Sequence, residues 1–216
     1  MNKVAILVSK TLSIILHPLF IPTYAMLLFT RSVSRMADQA FRINPFAERA
    51  TGFMVGITFL FTCLLPAVTI LILRVFHKIR SVELSDANER FLPYMAALFG
   101  YMCWYQTFAW IFRDVPFFLK ETTLGATIAM ALVMLINLRW KISAHLSAMG
   151  GLLGGVIGFA LMISIYPLTV FCVVLVISLL LMYARLILNA HTPLQVVAGF
   201  MLGLLATAVP NLIVYA

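Results

Sequence analysis

The sequence predicts an all-α, polytopic transmembrane helix bundle of about six to seven spans. Three observations carry that prediction. Hydrophobic residues make up 63% of the 216-residue chain and charged residues only 10%, against roughly 25% charged in soluble domains. The apolar residues fall in runs of about 20, the length that crosses a hydrocarbon core. The polar stretches between them are too short to fold as a separate domain. A single membrane domain is therefore expected, opening with N-terminal helices over 1–77.

The spans follow in order. Val4 to Thr30 is the first, with His17-Pro18 and Pro22 near its middle, so a kink is expected. His17 has two readings: a functional group, or, more commonly, a bond to a neighbouring helix or to a backbone group freed by the prolines. Arg31 to Arg49 reads as a polar loop, and Thr51 to Val75 as the second span. A charged loop, Ser81 to Arg90, precedes a third span over Phe91 to Phe112, which ends at Arg113-Asp114. Pro116 to Leu138 is the fourth. The apolar run from His145 to Tyr183 is too long for one crossing and is cut near Tyr166-Pro167 into the fifth and sixth. The seventh runs from about Pro193 to Tyr215. Glycines at 150, 151, 154, 155 and 158 form overlapping G-x-x-x-G pairs in the fifth span. They read as close helix packing, not as a phosphate-cradling loop.

The net charge of +8 fits basic loops at lipid headgroups or an anionic substrate, and in a chain this apolar it does not imply nucleic-acid binding. Cys63, Cys103 and Cys172 lie inside apolar runs without paired spacing, so neither a disulfide framework nor a metal site is expected. Seven acidic residues are few for chemistry built on carboxylate-held metal ions, and no cofactor is expected. Lys10 interrupts the first apolar run and no small-residue cleavage site follows, which argues against a cleavable signal.

The richest stretch is Ala184 to Gly199, ARLILNAHTPLQVVAG. Arginine and histidine at membrane depth are costly, so they usually face a cavity or a functional site. Thr192-Pro193-Leu194-Gln195 reads as a helix start: threonine as N-cap, proline at the first helical position, and glutamine closing a capping box. His191 then lies just outside a helix N-terminus, where backbone N–H groups and the helix dipole favour an anion. Ser143 reads as the N-cap of the fifth span, with His145 in its first turn. Two spans separate Arg90 from Lys141, and two more separate His145 from Arg185. An even number of crossings returns the chain to one face, so Arg90, Ser143, His145, Arg185 and His191 are expected together. That face carries nine basic residues against six on the other. Without Arg90 and Arg185, which are candidate site residues, the count is seven against six, so charge counting does not orient the chain.

These residues resemble the type 2 phosphatidic acid phosphatase superfamily, whose pattern is K-x6-R-P, then P-S-G-H, then S-R-x5-H-x3-D. The third piece stands here as Ala184-Arg185, five residues, His191, three residues, Gln195. The second is Ile142-Ser143-Ala144-His145, and the first is reduced to Arg90, with Pro93 displaced. The likeness covers roughly Lys78 to Gly203. It implies a similar helical core over 78–216, with His191 as the nucleophile that forms a phosphohistidine and His145 as the general acid. Arg90, Arg185, Ser143 and the Ala144 amide would hold the phosphoryl oxygens. Glu83 stands where the family has lysine, Ala184 replaces serine, Ala144 replaces glycine, and Gln195 replaces the aspartate that orients the nucleophile. Glutamine can still accept the Nδ1 proton, and branches resembling glucose-6-phosphatase and dolichyl-diphosphate phosphatase also carry H-x3-Q.

The expected function is a metal-independent lipid phosphatase or diphosphatase, with a phosphorylated lipid and the surrounding membrane lipids as partners. The expected location is the bacterial inner membrane. One competing reading is a degenerate member that binds or transports a phosphorylated lipid. Another is a magnesium-dependent prenyltransferase using Glu83, Asp86 and Glu89, which lacks a second acidic cluster.

Overall fold

The structure, a computed structural model, describes residues 3–40, 45–77, 89–112 and 115–215. Every regular element among them is helical. The helices are α1 (Lys3–Ile15), α2 (Ile21–Ala40), α3 (Pro45–Phe59), α4 (Leu65–Val75), α5 (Phe91–Gln106), α6 (Phe117–Asn137), α7 (Ala144–Ile163), α8 (Leu168–Ile187) and α9 (Pro193–Tyr215). Among the described residues, five helical segments are long and apolar enough to cross a membrane: Thr51–Val75, α6, α7, α8 and α9. The chain is thus an all-helical protein of membrane character, with fewer such segments than the six to seven spans expected.

Two of the seven expected spans account for the difference. The run from Val4 to Thr30 is broken outright, and the expected kink is a full turn between α1 and α2. Pro18 disfavours helical geometry at His17, and Pro18 and Pro22 both lack the N–H that would continue the ladder. The third span is helical from Phe91 through a π-helical turn at Thr107–Ile111. Its tyrosines, tryptophans and Gln106 keep it below the hydropathy of the others. The expected loop from Arg31 to Arg49 is also largely helical, since α2 runs to Ala40 and α3 begins at Pro45. Arg31 to Ala40 contains neither glycine nor proline, and polar residues as such do not end a helix. Much of the expected charged loop, with Glu83 and Asp86, lies outside the described residues, as do Lys78, Arg80, Arg113 and Asp114.

α3 and α4 are joined by a π-helical turn, Leu60–Leu64, where the Leu65 N–H reaches back to the Leu60 carbonyl. Pro66, next in the chain, cannot donate to the Thr62 carbonyl, and widening the helix by one residue accommodates the missing bond. The cut near Tyr166-Pro167 is where the chain turns: α7 ends at Ile163, Ser164 takes a left-handed φ of 55°, and α8 begins at Leu168.

α7 and α9 form the most extensive helix pair of the bundle. A Cβ added at Gly150 would strike the Phe200 carbonyl oxygen, and one added at Gly203 would strike that of Ser147. Backbone therefore packs on backbone, as the glycine spacing predicts. Further along, Phe29 of α2, Phe118 of α6 and Phe159 of α7 pack ring against ring, with centroids 5.5 to 6.3 Å apart. The buried Trp104 of α5 donates to Thr58 Oγ1 at 2.8 Å, which satisfies its indole N–H inside the bundle.

Candidate functional site

The site is built at the end of the bundle where α5, α7 and α9 begin and α8 finishes. Close α7–α9 packing sets its floor. Gly199 lies directly against the Ser143 backbone, where any side chain would collide with the Ser143 carbonyl. The Ser143 N–H donates to the Gln195 carbonyl at 3.3 Å, which ties the first turn of α9 to the start of α7. Ser143 caps α7 as expected, its Oγ accepting from the Leu146 N–H at 3.5 Å. It is fully buried, so in this conformation its hydroxyl serves the helix start. Ala144 follows in the first turn, where backbone N–H groups lack intrahelical acceptors.

The capping box of α9 is also present. The Gln195 N–H donates to Thr192 Oγ1 at 3.4 Å, and the Thr192 N–H donates to Gln195 Oε1 at 3.0 Å. The same Oε1 lies 3.3 Å from His191 Nδ1, and the Lys141 carbonyl lies 3.3 Å from that nitrogen as well. Both oxygens are acceptors, so Nδ1 carries the proton and Nε2 keeps its lone pair. Gln195 thus closes the capping box and orients the histidine with one atom.

His191 stays beside Arg185 because of how α8 ends. The Asn189 N–H bonds the Leu186 carbonyl at 2.9 Å and the Ala190 N–H bonds the Arg185 carbonyl at 3.1 Å. Asn189 has a left-handed φ of 50°. This is a Schellman closure with asparagine in the place glycine usually takes. Its only sequence signal was an asparagine just past a helix.

Arg185 and Lys141 both act electrostatically on His191. Burial first, then these two positive charges, pull its pKa from 6.5 down to about 4, against the opposing bonds from Gln195 and Lys141. Burial, then Arg90 and Arg185, lower Lys141 as well. Arg90 is itself buried at 7% exposure, one residue before α5. His145 lies within electrostatic reach of Arg185, His17 and His191. The structure thus brings Arg90, Lys141, His145, Arg185 and His191 into one cationic cluster, with Ser143, Ala144 and Gln195 in the helix starts beneath it.

His17 makes the more common of its two expected kinds of bond, and it also meets the cluster. Its Nδ1 accepts the Leu19 N–H at 3.4 Å, the expected bond to a backbone group near the prolines. Its ring also packs edge-to-face on His145, centroids 5.3 Å apart. Beside the cluster, an apolar cavity of about 80 Å³ runs between α2, α5, α6 and α7, lined among others by Pro18, Ala25, Trp104, Ala129 and Ala144. Among the described residues, no three His, Cys, Asp or Glu side chains gather as a metal site. No family model matches the chain, and no curated protein or solved structure matches it.

Proposed function

We propose that this protein is a membrane-embedded lipid phosphatase or diphosphatase, of the type 2 phosphatidic acid phosphatase kind, working through a phosphohistidine at His191. The observation that carries the reading is the His191 ring. Its Nδ1 proton is held by two carbonyl oxygens, Nε2 keeps its lone pair, and the ring stays neutral down to about pH 4. A nucleophilic histidine needs this state, and the cations around it suit a phosphoryl group.

In the first step Nε2 of His191 attacks phosphorus. The P–N bond forms as the bond to the leaving oxygen breaks, and His145 gives that oxygen a proton. In the second step water attacks the phosphohistidine and His145 takes the water's proton. The P–N bond then breaks, returning Nε2 and releasing phosphate. Arg90, Arg185 and the helix starts at Ser143–Ala144 and Thr192 stabilise charge on the equatorial oxygens. The negative charge of the incoming phosphate favours the protonated form of His145. No step uses a metal ion.

The lipid part of the proposal rests on the apolar cavity, which is lined by Ala144, the chain neighbour of His145, and by Pro18, the chain neighbour of His17. A headgroup in the cluster leaves its chain an apolar path into the bundle. The bacterial inner membrane as setting belongs to the same proposal.

The test is phosphate release from a panel of lipid phosphates and diphosphates by the purified protein in EDTA. Release by the wild type, with a loss of at least about 10³-fold in His191→Ala, is the expected result. Unchanged activity in His191→Ala would sink the mechanism. Lipid binding without release from any substrate would favour the degenerate binder.

A further inference from the structure

His17 lies outside every motif that carries the resemblance, and the proposed mechanism does not use it. Its position is nonetheless closely defined. The α1–α2 turn places its imidazole across that of His145, at 5.3 Å and an interplanar angle of 79°. With the Leu19 N–H bonded to His17 Nδ1, the neutral ring carries its proton on Nε2. The same segment holds His145 a second time. His145 Nε2 lies 3.2 Å from the Ser13 carbonyl, which can only accept, so Nε2 donates there and Nδ1 is the nitrogen left to exchange a proton. Ser13 is buried, and its hydroxyl has no hydrogen-bond partner among the described residues. The turn itself is anchored, since the Tyr24 hydroxyl reaches the Ile15 carbonyl at 3.3 Å.

We propose that His17 is a positioning residue for His145, fixing the plane of that imidazole so that its Nδ1 faces the leaving-group oxygen. The proposal rests on the reading of His145 as general acid. His145 is carried by α7, but its orientation comes from the last turn of α1 and the α1–α2 turn, about 130 residues earlier in the chain. Arg185 acts electrostatically on both rings, and His191 also acts on His145. Arg90 and Arg185 in turn act on Lys141, and Lys141 acts on His191. The turn also carries Pro18, on the wall of the apolar cavity, so the residue next to His17 lines the path proposed for the lipid chain.

The experiment compares two substrates that differ in their need for a general acid. A long-chain alkyl phosphate must have its leaving oxygen protonated, whereas p-nitrophenolate departs unprotonated at neutral pH. In His17→Ala, kcat for the alkyl phosphate is expected to fall about 10- to 100-fold, the cost of a misplaced acid, with KM within about twofold. Hydrolysis of p-nitrophenyl phosphate is expected to stay within about threefold. His17→Phe keeps an aromatic ring against His145 and is expected to recover most of the lost kcat. Equal losses on both substrates, no loss on either, or no recovery in His17→Phe would overturn the proposal. A wild type that hydrolyses neither substrate overturns this inference, and one that also releases phosphate from no lipid phosphate or diphosphate overturns the phosphatase reading with it. An active wild type, an inactive His191→Ala and an indifferent His17→Ala overturn this inference alone.

Discussion

The α7–α9 seam and the α1–α2 turn reach the same cluster of imidazoles by different physics. In the seam, missing side chains let two backbones touch, and Gly150, Gly199 and Gly203 each sit against a carbonyl of the other helix. At the turn, the end of α1 presents a carbonyl and the connection to α2 presents an imidazole to His145. The seam is stiff because it has no volume to give. The turn is specific because two particular rings meet. Where a site needs fixed backbone, small residues supply it; where it needs an oriented ring, a distant donor or acceptor does.

The harshest way to break this contrast is to put a side chain into the seam. Gly203→Leu is expected to cost more than about 4 kcal/mol, because the displaced atoms are backbone and cannot rotate away. Gly52→Leu, at a glycine with nothing within 4 Å of its added Cβ, is expected to stay within about 0.5 kcal/mol. Thermal unfolding in detergent compares the two. Equal losses would mean that the seam is not close-packed.

Gln195→Ala removes one of the two Nδ1 acceptors, leaving the Lys141 carbonyl, and half of the capping box. Its expected effect is a drop of about 10- to 100-fold in kcat and a loss of about 1 kcal/mol in stability. Gln195→Glu keeps both acceptors, adds a negative charge beside Nδ1, and raises the His191 pKa above about 4.

That pKa gives a third test. With His191 near 4, the nucleophile is neutral from about pH 5 upward, and rate loss between pH 8 and 5 does not come from its protonation. Lys141→Ala removes a positive neighbour and is expected to raise the value, which NMR titration of the ring would read. A wild-type ring titrating near 6.5 would contradict the geometry. The effect on stability has a definite sign. The unfolded chain takes up this proton from about 6.5 downward and the folded ring only near 4, so this group lowers stability as pH falls through that window.

The smallest effect is expected at the end of α8. Asn189→Gly should be nearly silent, since glycine takes a left-handed φ freely. Asn189→Val should cost about 1–2 kcal/mol and loosen the link between Arg185 and His191.

How far the sequence could be read follows the same division. The caps at Ser143 and Thr192, the glycine seam, and the boundaries of the last four helices, except the end of α8, which runs a turn past Tyr183 to Ile187, were legible because each depends on residues close in sequence. The shared end of Arg90, His145, Arg185 and His191 was legible from the order of the spans. The full break between α1 and α2 was underestimated as a kink. Proline chemistry says that a helix is disturbed, whereas the neighbouring helices decide whether the chain bends or turns. The contact between His17 and His145 had no local signal at all. The helix over Arg31–Ala40 escapes a reading by polarity, since a polar run without glycine or proline can be helix or loop.

Each of the two principal histidines is held at one ring nitrogen by a main-chain oxygen, His145 by that of residue 13 and His191 by that of residue 141. Every amino acid carries that oxygen. An alanine scan would leave both anchors in place, and sequence drift at positions 13 and 141 would leave no trace of their role. Parts of this site are thus invisible to side-chain mutagenesis, and an amide-to-ester replacement, which weakens the carbonyl as an acceptor, is the kind of change that would expose them.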